Sequence, residues 1–353
     1  MLYIQQKTCI SPQQTFLTIE IERLNEPVEN KLQVIEPSYE GIPTGILRRM
    51  GKAIRIGVGA AMPLIRHGPP ALDGIVIGTA NGGMEDCIKF LNQIIDYDEG
   101  ILTPTNFVQS TPNAIASQLG LLVSNKGYNV THVHRGQAFE NALIDTLMLL
   151  KENPSHHYLV GGVDEISTYN YNIEYLGGRY KKEPQSGKDL YTSDSIGSIA
   201  GEGAAMFMVN NNPTNAEVRL RAIHVFQTDR EEVVSHQLKQ FLQNNLHSGE
   251  KIDLFLSGEN GDIRLLKYYN SCEAVFSKDM IIARFKHMSG EYPTASAVAL
   301  WLACHLLQQN QVPAHMIKRM AGKSDLERIL IYNTYLGLQH SLILIDKVDA
   351  PVN

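Results

Sequence analysis

The sequence is short of reactive thiols. Four cysteines occur in 353 residues, Cys9, Cys87, Cys272 and Cys304, and no two form a CxxC pair. That excludes a zinc knuckle and a disulfide framework and suits a reducing compartment. Cys87 falls in a helical pattern flanked by Asp86 and Lys89, with nothing to lower its pKa, and reads as structural. A charge of one sign is also lacking: 31 Lys+Arg against 37 Asp+Glu give a net charge of -6, no footprint for nucleic acid. No apolar run approaches the roughly 20 residues of a membrane span, and Met1–Lys7 shows no basic stretch followed by an apolar one. A cytoplasmic protein without a membrane span is expected. Neither Gly57–Gly59 nor Gly74–Gly83 carries a GxGxxG or P-loop pattern, so these glycines read as turn formers and no cofactor is called for. What is present is 43% hydrophobic residues, ample for a large buried core.

The most informative stretch runs from Asn129 to Leu143. Val130 and Val133 favour a strand, and Phe139, Leu143, Leu147 and Leu150 recur at helical spacing. A strand that turns abruptly into a helix exposes backbone N–H groups and the positive end of a helix dipole, a place where many enzymes hold a nucleophile. Around this turn, strands are predicted at Gly74–Gly78, Tyr158–Val160 and Gly201–Val209, with helices from Met84 to about Ile95 and from Ala114 to Leu122. A helix is also predicted from Ile46 to Met62, with Arg48, Arg49, Lys52 and Arg55 on its flanks, and a peripheral strand over the alternating run Thr15–Glu22. Residues 166–200 lack a period and read as a long excursion or lid. After the Asn210–Asn215 linker the rhythm restarts, with strands near 218–225, 252–257, 280–283, 328–332 and 341–345 and helices at 231–246 and around Ala297–Leu307. Alternating strands and helices in both parts predict a repeated α/β unit, residues 1–209 and 216–353.

Read in order, Arg48-Arg-Met, Gly74-Ile-Val-Ile-Gly-Thr, Phe107 to Asn113, Asn129-Val-Thr131, Gly161-Gly-Val-Asp-Glu165, Gly201-Glu-Gly-Ala204, Lys286-His-Met-Ser-Gly290 and Asn333-Thr-Tyr335 resemble the β-ketoacyl synthases, thiolase-fold condensing enzymes of fatty-acid and polyketide synthesis. The resemblance implies an α/β fold of five layers, αβαβα, made of two pseudo-repeated halves, and an obligate dimer. It also implies three reactive groups: a cysteine at the strand-to-helix turn and two histidines in the second half. Matched motif by motif, the nucleophile position is Val133, three before Gly136. The first histidine position is Ser257, and the second is Glu291, next to a retained Lys286 and Gly290. All three reactive side chains are replaced.

The family is an acyltransferase family, but this pattern resembles its chain-length-factor subunits, which lack the nucleophile and pair with an active ketosynthase. The opening residues further resemble ketosynthase-like proteins of aryl-polyene and flexirubin pigment clusters. The resemblance implies an active ketosynthase as heterodimer partner, or a second copy of the chain, together with an acyl carrier protein. Phe107 and Gln109 are expected tunnel residues. Arg48, Arg49 and Lys52, with Lys181 and Lys182, are expected docking bases for an acidic carrier protein. A second possibility is cysteine-independent thioester chemistry, decarboxylation or hydrolysis, on Glu291, Glu259 or His134; a third is a homodimer that only docks carrier protein. His132 and His134 share one face of the expected strand but find no third ligand, so no metal is expected. His287 lies three residues before Gly290, across the turn from the matched histidine position.

Overall fold

The computed structural model describes residues 1–348 apart from 70, 217 and 321–324. Its strands are β1 (Leu2–Ile10), β2 (Lys31–Leu32), β3 (Gly74–Gly78), β4 (Tyr128–His132), β5 (Tyr158–Asp164), β6 (Ala200–Gly201), β7 (Gly203–Asn210), β8 (Val218–Gln227), β9 (Leu254–Ser257), β10 (Ile281–Arg284), β11 (Ile317–Arg319), β12 (Arg328–Tyr335) and β13 (Gln339–Lys347). Apart from the small β2–β6 pair, they join in the order β11-β10-β9-β12-β13-β8-β1-β7-β5-β3-β4. That order contains a repeat. The first half runs β4-β3-β5-β7-β1 and the second β10-β9-β12-β13-β8, the same succession of third, second, fourth, fifth and first strand. The pairings repeat too: β3 is parallel to β4 and β5 as β9 is to β10 and β12, and the remaining pairs are antiparallel. A short antiparallel contact of Leu2–Ile4 with Val218–Leu220 joins the halves.

Because strand side chains alternate, each sheet can be apolar on both faces. Ile75, Ile77, Leu159, Val163, Met206 and Met208 face an outer core with helix Lys52–His67 and helix Ala114–Leu122. Val76, Val160, Phe207 and Val209 face inward, where Leu254, Leu256, Ile331 and Ile343 of the second half join them. Phe255, Ile282, Leu330, Tyr332 and Leu344 face a third core beneath helix Glu231–Asn245 and helix Leu266–Glu273. Between the sheets lie helix Ala138–Glu152 and helix Ala295–Gln309, the latter buried on nearly every side. A helix buried all round belongs in an interior layer. The result is helices, sheet, helices, sheet, helices: the thiolase-like five-layer arrangement.

Two local expectations are corrected. Thr15–Glu22 alternates but is not a strand; it makes only an isolated bridge between Gln14 and Glu20, and Leu17 adopts a positive φ of 58°. The N-terminal strand is Leu2–Ile10, whose alternation is broken by a register shift between Ile4 and Gln6. The helix expected from Ile46 starts at Lys52, after a separate turn Thr44–Leu47 and the N-cap Gly51.

A closed site at the carboxyl ends of the strands

In an open α/β sheet the groups that do chemistry gather at the carboxyl ends of the parallel strands. Here those ends carry Val133 after β4, Asp164 and Glu165 closing β5, Ser257 to Asn260 after β9, Lys286 after β10, and Tyr335 at the end of β12. Asp164 is the tie between the halves. Its buried carboxylate accepts from Ala80 N–H (3.0 Å), Asn81 N–H (2.8 Å) and Thr79 Oγ1 (3.1 Å) in one half, and from Thr294 N–H (3.2 Å) and Oγ1 (2.8 Å) at the head of helix Ala295–Gln309.

The turn that would present a nucleophile is built but empty of chemistry. β4 stops at His132, a single 3-10 turn covers Arg135–Gln137, and the helix begins at Ala138. Arg135 has φ 49°, an uncommon conformation for a residue with a side chain. Gln339 holds it from both sides, accepting from Gly136 N–H (3.0 Å) and donating to the His134 carbonyl (3.3 Å). Gly136 is required by space: an added Cβ would lie 2.1 Å from Tyr335 Cβ. Val133 is 51% exposed on the outer side of this turn. Cys9, Cys272 and Cys304 are buried, and burial pushes the Cys9 thiol up to about 12; Cys87, half-buried, lies on helix Met84–Asp96 and not at this turn.

The two matched histidine positions are locked into the interior. Ser257 is fully buried, and its hydroxyl accepts from Glu259 N–H at 3.3 Å. Glu291 lies 2.9 Å from Lys286 Nζ through one oxygen and accepts from Asn260 Nδ2 (2.8 Å) through the other. Lys286 has no solvent exposure. Beside this pair Tyr171, Tyr180, Tyr292 and Tyr335 leave a cavity of ≈ 40 Å³, enough for a few water molecules and not for an acyl chain. Burial raises the phenols of Tyr180, Tyr292 and Tyr335 far above their usual range, so they stand neutral. Sequence reasoning passed over these tyrosines and Asn260, because only the meeting of four separated segments shows that they fill one space.

Other expected site residues are placed differently. Glu259 is held between Arg284 (3.1 Å) and Lys318 (2.5 Å), which leaves it no free role as a base. His134 lies beyond the end of β4 and does not share a strand face with His132, which pairs instead with Asp145 at 2.9 Å. The Gln109 side chain is engaged locally: its carbonyl accepts from Gly51 N–H (2.8 Å) and its amide donates to the Arg49 carbonyl, fixing the turn before helix Lys52–His67. Phe107 is largely exposed and packs on Phe90 at 5.3 Å between ring centroids. Of the docking bases, Arg48 and Arg49 are exposed. Lys52 lies 2.5 Å from the fully buried Glu202, and Lys181 is buried with Nζ donating to Ser195 Oγ (2.9 Å) and the Gly261 carbonyl (3.0 Å). Neither of those lysines offers a free charge to a partner.

Comparison with known proteins agrees with this geometry. Residues 23–175 match the family described as beta-ketoacyl synthase, N-terminal domain. A beta-ketoacyl synthase from Burkholderia phymatum STM815 superposes with a TM-score of 0.77 at 14% identity, over 99% of each chain. The chain resembles the β-ketoacyl synthases, in fold along its whole length and in sequence over residues 23–175. The ishigamide ketosynthase/chain length factor superposes with a TM-score of 0.79 at 13% identity over 99% of each chain. A ketosynthase in complex with its chain length factor from Xenorhabdus doucetiae gives 0.76 at 13% identity over 98% of each. At such identities the likeness is one of fold. No curated protein matches the chain in sequence. Among the described residues of this ketosynthase-like chain no helix is long and apolar enough to cross a membrane.

Proposed function

We propose that this ketosynthase-like chain is a non-catalytic, chain-length-factor-type subunit that pairs with a cysteine-bearing ketosynthase and works on chains borne by an acyl carrier protein. The observation that carries the reading is the closed site: Glu291 ties up Lys286, tyrosines fill the space beside them, and the turn that would hold a nucleophile carries the exposed Val133. Condensation needs a nucleophile and a stabilised oxyanion in one open site, and neither is offered. The retained scaffold then serves another subunit's reaction.

Pairing is supported by the free side of the first-half sheet. β4 is an edge strand, and an unpaired edge is a template for another chain. On β4 and neighbouring elements Phe107, Val108, Leu121, Tyr128 and Val133 are exposed, and apolar side chains exposed together suit a protein–protein contact. An active ketosynthase suits this face better than a second copy, since a pair of nucleophile-free chains has nothing for the shared scaffold to support. Phe107 is then placed against the partner, and Arg48 and Arg49 are the docking bases available to a carrier protein. The product class that best accompanies the sequence resemblance is a polyketide or aryl-polyene-type chain. Co-expression with a cysteine-bearing ketosynthase encoded beside this chain tests the reading. A co-purifying one-to-one complex is expected; two stable homodimers that never co-purify refute it.

A further inference from the structure

A second cleft, which shares no lining residue with the tyrosine-filled site, has a volume of ≈ 530 Å³ and lies between the lead-in Glu22–Glu26, the loop around Gly187–Tyr191, and Arg284, His287 and His315. Hydrogen bonds set its walls. His315 Nε2 stands 2.8 Å from the Ile21 carbonyl, which can only accept, so this nitrogen carries the proton. His315 Nδ1 is then an acceptor, and His287 Nε2 donates to it at 2.9 Å. His287 Nδ1 in turn accepts from the Tyr191 hydroxyl at 2.9 Å. With both rings neutral, the one carbonyl sets both tautomers and the phenol orientation. Burial lowers the His287 imidazole to about 3, which keeps that ring neutral. Gly187 N–H donates to Glu26 at 2.7 Å and closes the opposite side.

Arg284 stands in this cleft with unused capacity. Its guanidinium lies 3.7 Å over the Tyr191 ring, and Nη1 donates to Glu259 at 3.1 Å. Its Nε–H is screened from solvent and has no protein acceptor. Glu259 is itself shared with Lys318, so Arg284 is not neutralised by a carboxylate of its own. Lys188 and Arg23 stand exposed at the rim, with Glu22 as the unengaged carboxylate among the lining residues. A planar guanidinium braced on an aromatic face is suited to carboxylate or phosphate.

We propose that this cleft binds a small oxyanion, a carboxylate or a phosphate, with Arg284 as the anchoring group and Lys188 and Arg23 as guiding cations. The test is thermal unfolding of the full chain titrated with sodium phosphate, sodium acetate or sodium chloride at matched ionic strength. A saturable rise in Tm with phosphate or acetate, absent with chloride, is expected; which of the two produces it tells phosphate from carboxylate chemistry. Because Arg284→Gln also disturbs the contact with Glu259, the exposed double change Arg23→Ala/Lys188→Ala serves as the second variant and is expected to weaken apparent affinity about tenfold. Equal shifts with all three salts, or an affinity unchanged in the double variant, overturn the assignment.

Discussion

Replacing Glu291 by Gln leaves one amide oxygen to satisfy two donors, Lys286 Nζ and Asn260 Nδ2, and removes the carboxylate that pairs with that buried lysine. At 2.9 Å, and an effective dielectric of about 20, two unit charges attract by about 6 kcal/mol. Desolvation offsets part of this, and breaking a buried pair costs about 3–5 kcal/mol. Unfolding entropy of about 2.1 cal/mol/K per residue gives about 0.7 kcal/mol/K for a chain of this length, so the expected fall in Tm is about 4–7 °C. Trp301, the single tryptophan, is buried and reports the transition by fluorescence. The double change Lys286→Met/Glu291→Leu removes both charges and is expected to recover most of the loss, because an apolar pair of similar volume can match a buried ion pair. A fall below about 1 °C for Glu291→Gln, or a double variant no better than the single, would refute the idea that this pair locks the site.

Three further outcomes follow from the same geometry. Burial raises the Glu165 carboxyl from 4.5 to about 7; the folded chain therefore holds a proton that the unfolded chain releases, and stability is fully present below pH 4.5 and lost as pH rises toward 7. The loss is about 3 kcal/mol at most, so urea unfolding between pH 5 and 7.5 should show a decline that Glu165→Gln flattens, and parallel profiles would count against it. Gly136→Ala drives a methyl into Tyr335, where the nearest atom is a Cβ anchored on β12, and should destabilise by at least about 2 kcal/mol in denaturant titration; a neutral effect would mean the turn is loosely packed. Leu121→Glu with Phe107→Glu places charge on exposed apolar surface beside β4 and should abolish co-purification with a partner while leaving Tm within about 1 °C, as gel filtration and calorimetry can check.

The strands and helices of the core were legible where side-chain period and punctuation agreed. Gly74–Gly78, the Tyr128–Glu152 strand-turn-helix and the Arg328–Lys347 pair are apolar runs bounded by Gly, Asn or charged residues, and local pattern decides them. Leu2–Ile10 was missed because its register shift and the run Gln5-Gln6-Lys7 hide the alternation. Thr15–Glu22 misled for the opposite reason: it alternates without a neighbouring strand to pair with along its length. At the site, the loss of thiol and imidazoles could be read by matching positions, whereas the sequestration of Lys52 by Glu202 and of Lys181 by Ser195 and Gly261 could not. Those contacts join residues 150 and 14 to 80 positions apart along the chain, and a charge pattern gives no sign of which lysines fold inward. The four tyrosines that fill the site are likewise ordinary aromatic residues until the halves close on one another.

The most direct test of the central claim is intact-mass measurement of the co-purified complex after incubation with acyl- and malonyl-carrier-protein thioesters. The account predicts an acyl adduct on the cysteine-bearing partner and none on this chain. An adduct on this chain, at any residue, would contradict it.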